Sequence, residues 1–317
     1  MSSKGEFELI REFFTRQTSD TAVRLGVGDD AALIAVPDGC DLVVTTDTLV
    51  SGRHFPEDAS AFDIGWKSLA VNLSDLAAMG AEARWLTLAL TLPESDEAFL
   101  REFSRGFFAL ADQEKVSLVG GDTTGGPLAI TVTAMGLVPR GAALLRSGAK
   151  PGDDIYVSGT VGDAGLGLRL VLGQWHDDVP ADARKQVLER LHRPLPRLAL
   201  GQALRGLASA CLDVSDGLAQ DLGHVLKASG VGAELMLELL PRSTALAETE
   251  AAFADILALT SGDDYELLFT APVSVREEIA LLPVACTRIG RIHEEKGLVL
   301  SRHGQRLELP LAGFTHF

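Results

Sequence analysis

The chain lacks most of the short signatures by which enzymes declare their chemistry. It contains no GxxxxGK(S/T), so no P-loop, no GxSxG nucleophile turn, and its seven histidines form no HExxH zinc motif. Cysteine is scarce. Cys40, Cys211 and Cys286 are an odd number, far apart and without a CxxC pair, which argues against a disulfide framework or a thiolate zinc site and fits a reducing cytoplasm. No apolar run reaches the ~18 residues of a membrane span. The opening Met1-Ser2-Ser3-Lys4-Gly5-Glu6 turns acidic at once and lacks the apolar core of a signal peptide. Basic residues are outnumbered, 28 against 44 acidic, for a net charge of −16. Nucleic-acid binders carry a basic patch or stripe, so neither nucleic acid nor membrane is expected as a partner. A nucleotide stays open, because divalent ions bridge carboxylate to phosphate. The expectation is a soluble, cytoplasmic protein.

What is present is the composition of a compact globular chain, 46% hydrophobic and 23% charged with 32 glycines. At 317 residues it exceeds the size at which one core usually keeps growing, so two domains are expected. Apolar periodicity alternates between strand and helix throughout, which gives an α/β (α+β) class. Phe7, Ile10, Phe13 and Phe14 predict a short opening helix. A strand at 42–46 is expected to deliver Asp47 at its end. Asp63 is read as the cap of a helix that closes at Gly80. Strands at 85–92, 116–119 and 128–138 and a helix at 97–114 follow. The glycine- and proline-rich stretch 139–153 marks a boundary, placing domains at 1–148 and 149–317. Beyond it, strands are predicted at 154–158, 211–214, 233–239 and 265–270. Helices are predicted to start near 161–167 and to cover 197–209 and 218–228.

Six acidic motifs tied to turns or glycine punctuate this pattern: Gly28-Asp29-Asp30, Thr45-Thr46-Asp47, Asn72-Leu73-Ser74-Asp75, Gly120-Gly121-Asp122-Thr123, Asp213-Val214-Ser215-Asp216-Gly217 and Ser261-Gly262-Asp263-Asp264. Aspartate on a tight turn presents a hard oxygen ligand of the kind Mg²⁺ takes. Several in one chain suggest a multi-metal site for a polyphosphate. The stretch Gly26-Val27-Gly28-Asp29-Asp30-Ala31 formally fits a degenerate dinucleotide fingerprint, but two carboxylates would face the pyrophosphate and no convincing strand precedes it.

Each residue also has a plainer reading. Asp75 and Asn72 could share an exposed helix face, and Asp216 could be a helix N-cap. Asp213, at a strand end, is not explained by a cap, and Ser215 could donate to a phosphate. Gly120 and Gly121 would let backbone N–H groups approach an anion. Arg146 is either a phosphate clamp or a surface cation. His54 is either a donor beside a glycine turn or a satisfied surface histidine.

Taken together, GVGDDAAL, TTDTLVSGRHF, KSLAVNLSDLAAMGA, LVGGDTT, RSGAKPGD, LDVSDGL, SGDDYELLFT and the terminal GFTHF, in this order, resemble the thiamine-monophosphate kinase family. The resemblance implies a two-domain fold of the aminoimidazole ribonucleotide synthetase type. In it the N-terminal sheet pairs across a homodimer, and a C-terminal α/β domain completes an active-site cleft. It implies ATP-dependent phosphorylation of thiamine phosphate to thiamine diphosphate. Asp30, Thr45, Thr46, Asp47, Asp75, Asp122, Asp213 and Asp216 would ligate several Mg²⁺ ions around ATP, with Asp47, Asp122 and Asp216 central to catalysis. Gly121, Asp122, Arg146 and Ser215 would contact ATP, and His54, Asp263 and Phe314 the acceptor. Two departures stand out: Asp263 replaces a frequent glutamate, and Ser104 and Arg105 stand where an aromatic is common.

Overall fold

The computed structural model describes residues 5–175 and 180–310. Their backbone divides into two compact units, one within residues 5–76 and 81–141 and the other within residues 77–80, 142–175 and 180–310.

The first unit opens with a helical segment in two parts, α1 (Glu6–Leu9) and a π-helical turn, Ile10–Phe14, that buries Phe13 and Phe14. A small ribbon of β1 (Val23–Leu25) and β2 (Leu33–Ile34) follows. The main sheet has four strands, β3 (Cys40–Val50), β4 (Glu82–Leu92), β5 (Ser117–Gly125) and β6 (Ala129–Pro139), in the order β3-β6-β4-β5. β3 and β5 are therefore its two edges. β4 and β5 run parallel and the other pairs antiparallel.

Helices α2 (Ala61–Ala78) and α3 (Glu97–Glu114) complete the unit. They cross at two glycines: a Cβ on Gly65 would lie 2.1 Å from the Phe103 carbonyl oxygen, and one on Gly106 1.9 Å from that of Phe62. Only glycine lets the two backbones approach so closely. α2 is capped by Ser60, whose Oγ accepts the Asp63 N–H at 3.1 Å and donates to the Asp63 carboxylate at 2.7 Å. Asp63 is thus the reciprocal partner three residues on, and not the cap expected from its position. Gly80, at φ +67°, closes the helix as expected, with the Ala81 N–H returning to the Leu76 carbonyl.

The second unit is built on a seven-stranded sheet. Its strands are β7 (Asp154–Ser158), β8 (Ala210–Asp213), β9 (Gly232–Met236), β10 (Leu267–Ala271), β11 (Cys286–His293), β12 (Gly297–Arg302) and β13 (Gln305–Leu307). The order is β13-β12-β9-β11-β7-β10-β8, antiparallel throughout except for β12 on β9. Every residue of β7, β8 and β10 is buried. Such strands are covered on both faces, and read in sequence as continuous apolar runs. The main helices are α4 (Asp163–Val171), α5 (Ala181–His192), α6 (Leu198–Ala203), α7 (Leu218–Ser229), α8 (Thr244–Ala247) and α9 (Ala251–Thr260), with a short α10 (Arg276–Ala280). Ile155, Val157, Leu212, Leu222, Leu257 and Leu268 lie in its buried core.

Several boundaries differ from the expectation. β3 does not end before Asp47 but runs four strand residues further to Val50, because Thr46 and Thr48 pair with Thr133 and Thr131 on β6, hydroxyl to hydroxyl at 2.9 and 2.8 Å. β5 likewise runs through Gly120, Gly121 and Asp122. The helix expected at 197–209 stops at Ala203, and the strand expected from Tyr265 begins at Leu267. α5 and α9 were not expected.

Candidate active site

In the first unit, β3 and α2 bring three of the candidate groups together. Alternation along β3 turns Thr45, Asp47 and the buried Leu49 to one face and Thr46 and Thr48 to the other. Thr45 Oγ1 donates to Asp75 Oδ2 at 2.5 Å, and the Asp47 N–H donates to Asn72 Oδ1 at 3.0 Å. Asn72 is fully buried and its amide donates to the Ser68 carbonyl one turn back. The shared exposed face considered for Asn72 and Asp75 is thereby overturned. Asp75 is half-buried in the last turns of α2, facing the strand. Thr46 lies on the other face of β3, exposed, on Thr133.

Asp122 is elsewhere. It is exposed on β5 opposite Ala89, while Asp47 on β3 is opposite Val132. Three strand spacings separate the two edges, about 14 Å at ordinary sheet geometry. Asp122 therefore does not sit after a strand end, and within one chain it stands across the sheet from Asp47. Gly121 has a packing reason that was not expected: at φ +153°, a Cβ there would meet the Leu88 carbonyl oxygen at 1.9 Å. Asp30 is exposed after Gly28, its N–H held by the Asp29 carboxylate at 2.8 Å. His54 closes the end of β3, its Nδ1 accepting the Val50 N–H at 3.0 Å, which leaves the ring proton on Nε2.

In the second unit the motif 213–217 joins β8 to α7. Asp213 ends β8, buried against β10. The N–H groups of Ser215, Asp216 and Gly217 all donate to Asp221 Oδ2 at 3.1 Å. Asp221, in the first turn of α7, ties this loop, and Asp216 is not the cap. Burial pushes the Asp221 carboxyl up to about 6 against the pull of those donors. Gly217, at φ +126°, lies against the Thr260 backbone, where a Cβ would be 2.9 Å from the carbonyl carbon.

The motif 261–264 packs on this loop. The Asp263 N–H donates to the Ser215 carbonyl at 3.0 Å and the Tyr265 N–H to the Val214 carbonyl at 2.9 Å. Ser215, Asp216 and Asp263 are half-buried. The two acidic motifs of this unit thus form one structural feature. Arg146 is exposed in a segment pinned by the Leu145 carbonyl on the Cys211 N–H and by Ser229 Oγ on Gly148.

The donor set in both units is carboxylate and hydroxyl oxygen, the hard chemistry that magnesium prefers. Among the described residues, no three His, Cys, Asp or Glu side chains stand within reach of one ion. Phe314 lies outside the described residues. Asn72, Asp221, Asp264 and Glu266 were missed as supporting groups. The only signal for Asp221 was its place four residues after Gly217.

Over 320 residues the chain is 48% identical to the thiamine-monophosphate kinase of Escherichia coli K12, covering 99% of this chain and 98% of that protein. It belongs to the thiamine-monophosphate kinase family. Residues 28–138 match the N-terminal domain of AIR synthase related proteins and residues 150–303 the C-terminal domain. The crystal structure of the family member from Stenotrophomonas maltophilia K279a superposes with a TM-score of 0.85 at 49% identity, covering 91% of this chain and 93% of that one. AaThiL complexed with AMPPCP and TMP superposes at 0.78, with 32% identity and 92% of each chain covered. Among the described residues, no helix is long and apolar enough to cross a membrane.

Proposed function

We infer that this chain transfers the γ-phosphoryl group of ATP to thiamine phosphate, giving thiamine diphosphate, in the cytoplasm. The observation that carries this reading is the near full-length identity to a thiamine-monophosphate kinase, joined by the structural match to a relative holding AMPPCP and TMP.

The chemistry of the donors supports it. The acceptor phosphate is ionised at neutral pH, so direct transfer needs no base to create a nucleophile. The carboxylates Asp47, Asp75, Asp122, Asp213 and Asp216, with Asp30, Thr45 and Thr46, are the residues that would hold Mg²⁺. Bound there, Mg²⁺ would screen two mutually repelling phosphates and offset charge on the moving group. Gly121, Ser215 and Arg146 serve the nucleotide, while His54 and Asp263 serve the acceptor. The division of labour is 1–148 for ATP, magnesium and dimerisation, and 149–317 for the rest of the site.

The active form is a homodimer. Support comes from the first unit's sheet, which has Asp47 on one edge strand and Asp122 on the other. Its outward face also exposes Leu42 at 43% and Val44 at 55%. Unpaired edges and exposed apolar residues favour cover by a second copy. If the β3 edge of one copy meets the β5 edge of its partner, the two carboxylates become neighbours that one chain holds apart.

The test is an ADP-release assay offering thiamine phosphate, thiamine and aminoimidazole-type substrates side by side. Turnover with thiamine phosphate alone is expected. Turnover only with unphosphorylated thiamine would sink the reading, because a hydroxyl acceptor needs a base.

A further inference from the structure

The second unit contains a buried charge network that phosphoryl transfer itself leaves unused. Segment 261–266 connects α9 to β10 and carries Asp263. Two of its residues, Asp263 at φ +67° and Tyr265 at φ +50°, occupy the left-handed region without being glycine. Such backbone persists only where its surroundings over-determine it. On one side the 213–217 loop does this through the Ser215 and Val214 carbonyls.

On the other side the holding group is Arg190, from α5. Its Nη2 donates to the Glu266 carboxylate at 2.9 Å, the Asp264 carbonyl at 3.1 Å and the Thr160 carbonyl at 3.3 Å. Glu266 is fully buried and also accepts from Arg197, at 2.5 and 2.7 Å, and from Ser158 Oγ at 2.5 Å. The Asp264 carboxyl group, fully buried too, accepts from the Gly162 and Ala164 N–H groups at the start of α4. Taking an Arg–Glu pair out of water rarely adds net stability, and well-packed apolar residues often serve a core as well. What this pair supplies is geometry. It fixes the backbone before Tyr265 and the side chain after it, bracketing this left-handed residue two positions after Asp263.

We propose that Arg190 is a positioning residue for the phosphate acceptor: by holding the Asp264 carbonyl and the Glu266 carboxylate, it keeps the left-handed backbone of Asp263 and Tyr265 set and so aims Asp263 at thiamine phosphate. The proposal rests on the kinase reading and assigns Asp263 no new role. It gives α5, which contributes no acidic motif, a part in acceptor binding.

Arg190→Gln and Arg190→Lys in the full chain test it, with steady-state kinetics and amide hydrogen exchange across 261–267. Glutamine is expected to raise KM for thiamine phosphate by about tenfold, the scale of one lost orienting interaction. KM for ATP should stay within about twofold, and exchange at the 263 and 265 amides should speed up. Lysine keeps the charge without the planar fork, and is expected to recover part of the acceptor KM. An unchanged acceptor KM in a folded glutamine variant, or equal rises in both KM values, overturns the proposal. Should glutamine prevent folding, the lysine variant decides, and wild-type exchange at both amides overturns it. A wild-type protein that turns over no thiamine phosphate refutes the kinase reading instead, and the exchange comparison still decides whether Arg190 sets the loop.

Discussion

At the scale of single residues, the Asp264 carboxyl is fully buried at the start of α4, with the Gly162 and Ala164 N–H groups donating to it. Burial pushes it up to about 8, with Asp163 adding to the rise and Arg190 and the two N–H donors opposing it. An unfolded aspartate titrates near 4. Between those two values the folded chain keeps a proton that the unfolded chain loses, so this group's contribution to stability is full below about pH 4. It is lost progressively as pH rises to about 8, by up to about 1.4 kcal/mol per pH unit. Asp264→Asn cannot titrate. The difference in melting temperature, variant minus wild type, is therefore expected to move in the variant's favour from pH 5 to pH 8. A difference that stays flat across that range would show that Asp264 is ionised in both states. The neighbouring Asp263 carries the same letter in the same Ser261-Gly262-Asp263-Asp264 string, yet it is half-buried, with its N–H on Ser215. Which of the two aspartates faces inward is decided by β10 pairing with both β7 and β8, and no local pattern in the string carries that information.

Among elements, α3 was legible to the residue because Asp96 caps it through the Ala98 and Phe99 N–H groups and its buried Leu100, Phe103, Phe107 and Leu110 keep helical spacing. α5 was not. It buries Val187 and Leu191 among charged neighbours, too sparse a stripe to stand out. α9, apolar over most of its length, carries little amphipathic contrast. β3 and β5 were cut short for a different reason: threonine, glycine and aspartate resemble a turn in sequence but here continue a ladder. The crossing of α2 and α3 makes an element-level prediction. Gly106→Ala places a methyl group 1.9 Å from the Phe62 carbonyl oxygen, a backbone atom that cannot step aside alone. We expect a loss of about 2–3 kcal/mol or more, the cost of overpacking, read as a lower denaturation midpoint. Because α2 carries Asn72 and Asp75 to β3, kcat should fall with it. A variant of wild-type stability would mean that the helices slide apart freely.

For the whole molecule, the two edge strands make a prediction about subunits. Asp47→Asn and Asp122→Asn should each cut kcat by roughly two decades or more, the scale of a lost electrostatic contact in the transition state. Far-ultraviolet circular dichroism should remain unchanged. If each site takes Asp47 from one copy and Asp122 from the other, a mixed dimer contains one doubly altered site and one intact site. Unfolding and refolding the two inactive proteins together should then restore about a quarter of wild-type activity, by random pairing in a twofold dimer. No recovery, with mixed dimers shown to form, places both carboxylates in one chain's site. A single-chain species in sedimentation at micromolar protein removes the dimer altogether.

The strand order of the second unit also bears on how the protein is made. In the first unit's sheet every partner lies within residues 40–139, so all four strands exist once that stretch has been synthesised. In the second, β7 is flanked by β10 and β11, and β9 by β11 and β12. β7 thus waits more than a hundred residues for either neighbour, and β9 about fifty. On the ribosome the first sheet can close early, whereas β7, β8 and β9 emerge with no strand to pair with and depend on the last stretch of chain to complete them. Long-range pairing of this kind is slow and exposes apolar strands while it waits. A chain interrupted before β11 would therefore carry a finished first sheet tethered to a half-built second one, an aggregation hazard that a break near either end would not create.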